Sequence, residues 1–102
     1  MKYPKSIVTD DMQHCLVCKT TSSIEIHHVF FGANRKKSTV YGLVVPLCYE
    51  HHRGTNGVHG KNGHELDLKL KRISQKKWEN KHGSRERFIK YFGRNYLYDE
   101  DL

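Results

Sequence analysis

The sequence predicts an α+β domain in which a short two-stranded sheet and a small helix are stapled by a metal knuckle and followed by a helical C-terminal third. Three observations lead there. The cysteines and a histidine form two pairs at knuckle spacing, Cys15 with Cys18 and Cys48 with His51. Two short runs, "SIEIHHVF" and "LVVPLC", are rich in β-branched and apolar residues and read as strands. From Glu65 onward the apolar residues recur at helical spacing.

The length of 102 residues fits one domain, 1–102. Its zinc-stabilised core is expected over 13–60 and its helical extension over 65–93. Only 36% of residues are apolar and mean hydropathy is -0.78, so the core is thin and a bound metal is an obvious supplement. The net charge of +7 favours polyanionic partners. Three cysteines, an odd number, argue against a fully paired disulfide scaffold. The N-terminal "MKYPKSIVTDD" lacks the apolar stretch of a signal peptide, and no run is long enough to span a bilayer. The expectation is a soluble, intracellular chain with thiols free to bind metal.

Taken in order, residues 1–13 read as a short arm with a strand at "SIVT". "CLVC" reads as a metal knuckle, "TTSS" as a turn and "SIEIHHVF" as the first strand. "FGANRKKSTVYG", polar and basic with glycine at both ends, reads as a loop. "LVVPLC" is the second strand, with Pro46 placed at a sheet edge or strand end because it cannot donate to a ladder. A short helix starts around Cys48 to Glu50 and stops at Gly54 or Gly57, and "TNGVHGKNGHE" is an ordered loop. Leu66, Leu70, Ile73 and Lys77 or Trp78 then mark a helix, although "LDLKL" also alternates and its first turn could be extended. Gly83 ends that helix, and Ser84 caps a second, "RERFIKYF", which Gly93 stops. Phe88, Ile89 and Phe92 are expected to pack back on the first helix, and "LYDEDL" reads as a frayed acidic tail.

Zinc takes four ligands at tetrahedral corners, and thiolates with an imidazole suit it. Cys15, Cys18, Cys48 and His51 supply such a set; His52 could replace His51, but the two-residue spacing favours His51. Four of the eight histidines stand in two adjacent pairs, His27–His28 and His51–His52. Successive helical residues differ by about 100° in direction. His51 can therefore serve the zinc while His52 faces the strand bearing His27 and His28. Three spare imidazoles meeting at one place suggest chemistry rather than support. Neighbours on a regular strand point to opposite faces, so His27 and His28 can address one site only if the strand ends or bulges at Val29.

"CLVC", "EIHH", "VPLC", "EHHR" and "GVHG" together resemble the HNH endonuclease family, the ββα-metal nucleases. They are most similar to its phage-type members, including the phage recombination-enhancement nucleases. The likeness covers about residues 13–60 and does not extend to the C-terminal third. It implies a small ββα-metal (His-Me finger) fold with a structural zinc knuckle and a C-terminal helical extension. It also implies a phage-encoded protein acting in the bacterial cytoplasm. By the same resemblance His27 and His52 are ligands of a catalytic divalent ion (Mg²⁺, Mn²⁺, Ni²⁺ or Zn²⁺) and His28 is the general base. His59 is taken as the third ligand, since the glycine loop could fold it back, with His64 as runner-up. The asparagine that braces the base in the family finds its only candidate between His28 and Cys48 in Asn34. Where many members carry asparagine on the helix this chain has His52, which also suits softer ions.

The activity implied is DNA phosphodiester hydrolysis, leaving 5′-phosphate and 3′-hydroxyl ends. A neutral histidine such as His28, with an ordinary pKa of about 6.5, can take a proton from water. Arg35, Lys36, Lys37 and Arg53 are the expected nucleic-acid contacts, with Lys69, Arg72, Lys76 and Lys77 as an extension. Phosphate contacts position a duplex without reading its sequence, so weak sequence preference is expected. The expected partners are DNA and phage or host recombination, replication or packaging proteins, with the chain a monomer or weak homodimer. A different function class, a non-catalytic zinc-binding module for DNA or protein interaction, fits the same cysteines. It differs in holding one metal and in tolerating loss of His28.

Overall fold

The computed structural model describes residues 5–97, so most of the acidic tail and the first four residues lie outside the described residues. Seven elements follow in order. They are β1 (Ile24–His28), a 3₁₀ turn (Gly32–Asn34), α1 (Arg35–Tyr41), β2 (Val44–Cys48), α2 (Tyr49–His52), α3 (His64–His82) and α4 (Arg85–Phe92). The result is a small α+β structure with a two-stranded antiparallel sheet.

The register places Ile24 opposite Cys48, Ile26 opposite Pro46 and His28 opposite Val44. The end of β2, where Cys48 leads into α2, therefore lies beside the start of β1. Pro46 sits in the middle of β2 and is fully buried. Its carbonyl accepts from Leu16 N–H at 2.9 Å, away from β1. In an antiparallel strand a residue's N–H and C=O share a side, so the missing proline donor costs the ladder nothing and that side receives the cysteine knuckle instead.

Two expectations for the N-terminal half are corrected. "SIVT" is not a strand. Ile7 N–H donates to Gly42 O at 2.9 Å and the Ser6 hydroxyl donates to Val44 O at 2.6 Å, so the arm is tied down near the start of β2 without joining the sheet. Residues 35–41, read as loop, are the helix α1. Its one buried residue is Ser38, whose hydroxyl accepts from Phe30 N–H at 3.0 Å and donates to Phe30 O at 2.6 Å. A helix held by a buried serine carries no apolar periodicity, which is why its sequence looked like loop. Gly42, at φ +71, caps it in the left-handed region.

The two C-terminal helices contribute Leu70, Trp78, Phe88 and Phe92 to the core. The Trp78 ring is fully buried and meets Phe88 and Phe92 at centroid distances of 5.5 and 6.0 Å. The run "LDLKL" is helical throughout, and Asp67 and Lys71 pair at 2.8 Å one turn apart. Ser84 caps α4 by accepting from Arg87 N–H, and Gly93 ends it at φ +84. Phe88 and Phe92 share one face of α4, whereas Ile89, a step of about 100° away, remains 39% exposed and is not a core residue. Among the described residues no helix is long and apolar enough to cross a membrane.

Candidate metal centres

The first centre lies where the knuckle, the end of β2 and α2 meet. Cys15 N–H donates to Thr20 O and Lys19 N–H to Cys15 O, closing a tight turn in which Lys19 takes φ +69. Cys48 ends β2 and is the N-cap of α2, which carries His51 one turn on. Cys15, Cys18, Cys48 and His51 offer ligand atoms all within 4.8 Å of one another. The separations test the fit. Zinc bonds of about 2.3 Å to sulfur and about 2.0 Å to nitrogen at tetrahedral angles give S–S edges of about 3.8 Å and S–N edges of about 3.5 Å. Cys18 Sγ and Cys48 Sγ are 3.8 Å apart, and His51 Nδ1 lies 3.7 Å from Cys15 Sγ and 3.3 Å from Cys48 Sγ. The cluster is thus spaced for a closed tetrahedral zinc site.

Its electrostatics agree. Burial opposes ionisation of Cys15, but the N–H groups of Cys18, Cys48 and Val17 and the His51 ring outweigh it and bring the thiol down to about 6. Cys48 moves up, because burial and the two neighbouring sulfurs disfavour another negative charge there. A cation among the sulfurs removes that conflict.

The second cluster is built only of imidazoles. His27 on β1, His52 on α2 and His59 in the glycine loop offer nitrogens within 4.8 Å of one another. Their ring centroids are 4.9 to 5.2 Å apart. A tetrahedral set of metal–nitrogen bonds has N–N edges of about 3.4 Å. Because each ring centroid stands behind its ligating nitrogen, the centroids of imidazoles sharing one ion lie farther apart than those edges, as they do here. His27 is 1% exposed, and its Nε2 is buried without a hydrogen-bond partner. Such an atom is costly unless something uses it. Burial, then repulsion from His52 and His59, drives the His27 pKa from 6.5 to about 3. Burial, with His52 next, lowers that of His59. Both rings are therefore neutral and able to ligate near neutral pH.

The loop that delivers His59 depends on its glycines. Val58 N–H donates to His51 O and His59 N–H to His52 O, so the loop folds back along α2. A Cβ on Gly60 would lie 1.9 Å from Gly54 O, and one on Gly63 would lie 1.6 Å from Gly57 O. Only residues without side chains let the backbone turns stack this closely.

Glu25 is a site residue that sequence reasoning missed. Its carboxylate accepts from His52 Nδ1 at 2.7 Å and from Arg53 Nε at 2.9 Å. The His52 hydrogen bond, helped by the Arg53 charge and opposed by burial, holds its pKa below the usual carboxylate range. With Nδ1–H committed to Glu25, His52 presents Nε2 as its free lone pair. The available signal was alternation: Glu25 lies two residues before His27 and so shares its strand face.

His28 lies beyond the imidazole cluster, at the last residue of β1. Because the strand ends there, His27 and His28 line the same open cleft of about 550 Å³, with His52, His59, Phe31, Arg35 and Arg53. Burial first, then the Arg35 and His52 charges, lowers the His28 pKa, so it is a neutral proton acceptor at pH 7. Arg35 and Arg53 stand at the cleft, whereas Lys36 and Lys37 do not line it, and the Lys37 ammonium donates to Tyr91 O. Asn34 donates to Phe92 O and braces α4 rather than His28. His64 begins α3 and is exposed, outside the imidazole cluster. Lys69, Lys76 and Lys77 are exposed on α3. Comparison with protein-family models, with curated proteins and with solved structures found no match.

Proposed function

We propose that this chain is a metal-dependent endonuclease that hydrolyses DNA phosphodiester bonds with weak sequence preference. The observation that carries the reading is the buried His27 Nε2, without a protein partner, in a three-imidazole cluster at an open cleft that also holds His28. A structural site would close around its ion, as the four ligands of the cysteine cluster would; an open one suits a reacting ligand. On this reading the fold is the ββα-metal type, with α1 inserted between its strands.

His27, His52 and His59 would hold a divalent ion (Mg²⁺, Mn²⁺, Ni²⁺ or Zn²⁺), which supplies Lewis-acid stabilisation of charge growing on the phosphate. Neutral His28 takes the proton of the attacking water. Glu25 fixes the tautomer and direction of His52 and holds Arg53 at the cleft. Arg53 and Arg35 neutralise backbone phosphates without reading bases. The zinc cluster, remote from substrate, locks β2, α2 and the knuckle so that His52 stays in place. One active centre per chain cuts one strand at a time.

The test is incubation of supercoiled and linear DNA with the protein across Mg²⁺, Mn²⁺, Ni²⁺ and Zn²⁺, with His28→Ala in parallel. Nicked or linear product is expected with the natural chain and none with H28A, which should keep its fold and both metals. Intact plasmid in every metal would instead favour the non-catalytic zinc-binding module.

A further inference from the structure

Phe30 and Phe31 are adjacent, yet their rings have opposite fates. Phe30 is 2% exposed and packs on Phe88, Phe92 and Tyr96 at 5.4, 5.0 and 5.4 Å. Phe31 is 42% exposed and lines the cleft beside Gly32 and Arg35. It is held there. The Lys71 ammonium sits 4.3 Å from its ring centroid, itself anchored on Asp67 Oδ2 at 2.8 Å, and the His59 ring stands edge-on at 5.2 Å. Gly32 follows at φ +65, with nothing within 4 Å of the place a Cβ would take, so the approach past Phe31 is open. A ring fixed before its partner arrives loses little freedom on binding.

The surroundings select the occupant. Arg35 and Arg53 draw a polyanion into the cleft, and a flat apolar ring lining the same cleft fits a π-face next to a phosphate. Nucleobases stack on such rings regardless of sequence. In continuous duplex each base face is covered by its neighbours, so an unpaired or splayed base is the one that can reach Phe31. From this juxtaposition we infer that Phe31 is a stacking platform for an unpaired nucleobase beside the cut phosphate. The preferred substrate is then DNA single-stranded at the cleavage point rather than unbroken duplex. This rests on the nuclease reading of the same cleft.

The test measures preference in two ways. Binding of matched single-stranded and duplex oligonucleotides to zinc-loaded H28A protein is followed by fluorescence anisotropy, and cleavage of the same pair is followed with active protein. Single strands should be preferred in both assays. Phe31→Ala should lower that preference roughly 5- to 100-fold, and Phe31→Trp should restore it. A preference unchanged in F31A, duplex handled as well as single strand, or no rescue by F31W would overturn the platform. The two readings separate cleanly. Phe31-dependent binding of single strands with no cleavage by the natural chain in any of the four metals keeps the platform and ends the nuclease. Cleavage of both substrates alike does the reverse.

Discussion

Removing the Glu25 carboxylate tests the second centre without touching any ligand. In Glu25→Ala the His52 Nδ1–H, now bonded at 2.7 Å, and Arg53 Nε, at 2.9 Å, both lose their acceptor. The His52 ring, buried in the fold, can then adopt either tautomer, and only one presents Nε2 to an ion. Loss of such an outer partner weakens metal binding by about 10- to 100-fold, or about 1.4–2.7 kcal/mol. Glu25 is part-exposed, so the cost to folding should be smaller, below about 1 kcal/mol. Glu25→Gln retains an acceptor oxygen without the charge and should fall between the two. Calorimetric titration of Mn²⁺ or Ni²⁺ into zinc-loaded protein reads the affinity, with urea melts reading stability. Natural affinity in E25A would refute the role assigned to Glu25, and parallel loss of the zinc would show that the two centres are not separate.

Cys48→Ser removes the ligand that ends β2 and caps α2. It should cost the zinc and, with it, cooperative unfolding, since structural zinc contributes about 10 kcal/mol or more to such folds; circular dichroism with metal analysis checks this, and a folded, zinc-replete C48S would contradict it. Gly60→Ala puts a Cβ 1.9 Å from Gly54 O and should destabilise by about 2–3 kcal/mol while displacing His59, seen as weakened binding of the second ion with zinc retained. With the second centre metal-free, acid should destabilise the fold through His27. Its folded pKa of about 3 lies below the ordinary 6.5, so below 6.5 the unfolded chain binds more protons. The stabilisation is full above 6.5 and is lost as pH falls towards 3, by up to ~1.4 kcal/mol per pH unit. Urea melts from pH 7.5 down to pH 5.5 should show that slope flattening in His27→Gln; parallel profiles would disprove the assignment.

The two clusters were legible because metal ligation needs particular side chains at particular spacings, and the chain shows those spacings directly. Cys15, Cys18, Cys48 and His51 meet in space as their two-residue intervals suggest, and His52 points away from His51 towards β1. The joined helices were also legible, because Ser84, Gly83 and Gly93 mark ends through local backbone chemistry. What stayed hidden depends on tertiary partners. Helix α1 packs through Ser38 and, at its last residue, Tyr41, and has no apolar stripe to betray it. Glu25 reads as the exposed residue of a half-buried strand until α2 brings His52 against it. Lys37 reads as a free cation in a basic run until α4 presents Tyr91 O. Phe31 reads as the first residue of a loop, and only the end of β1 turns its ring into the cleft.

Anomalous diffraction from crystals grown with zinc and Mn²⁺ addresses the two-centre claim most directly, because it locates each ion by element. Two peaks are expected, zinc among Cys15, Cys18, Cys48 and His51 and a second ion among His27, His52 and His59. A map with density only at the cysteine cluster, under conditions where the protein cuts DNA, would contradict the account.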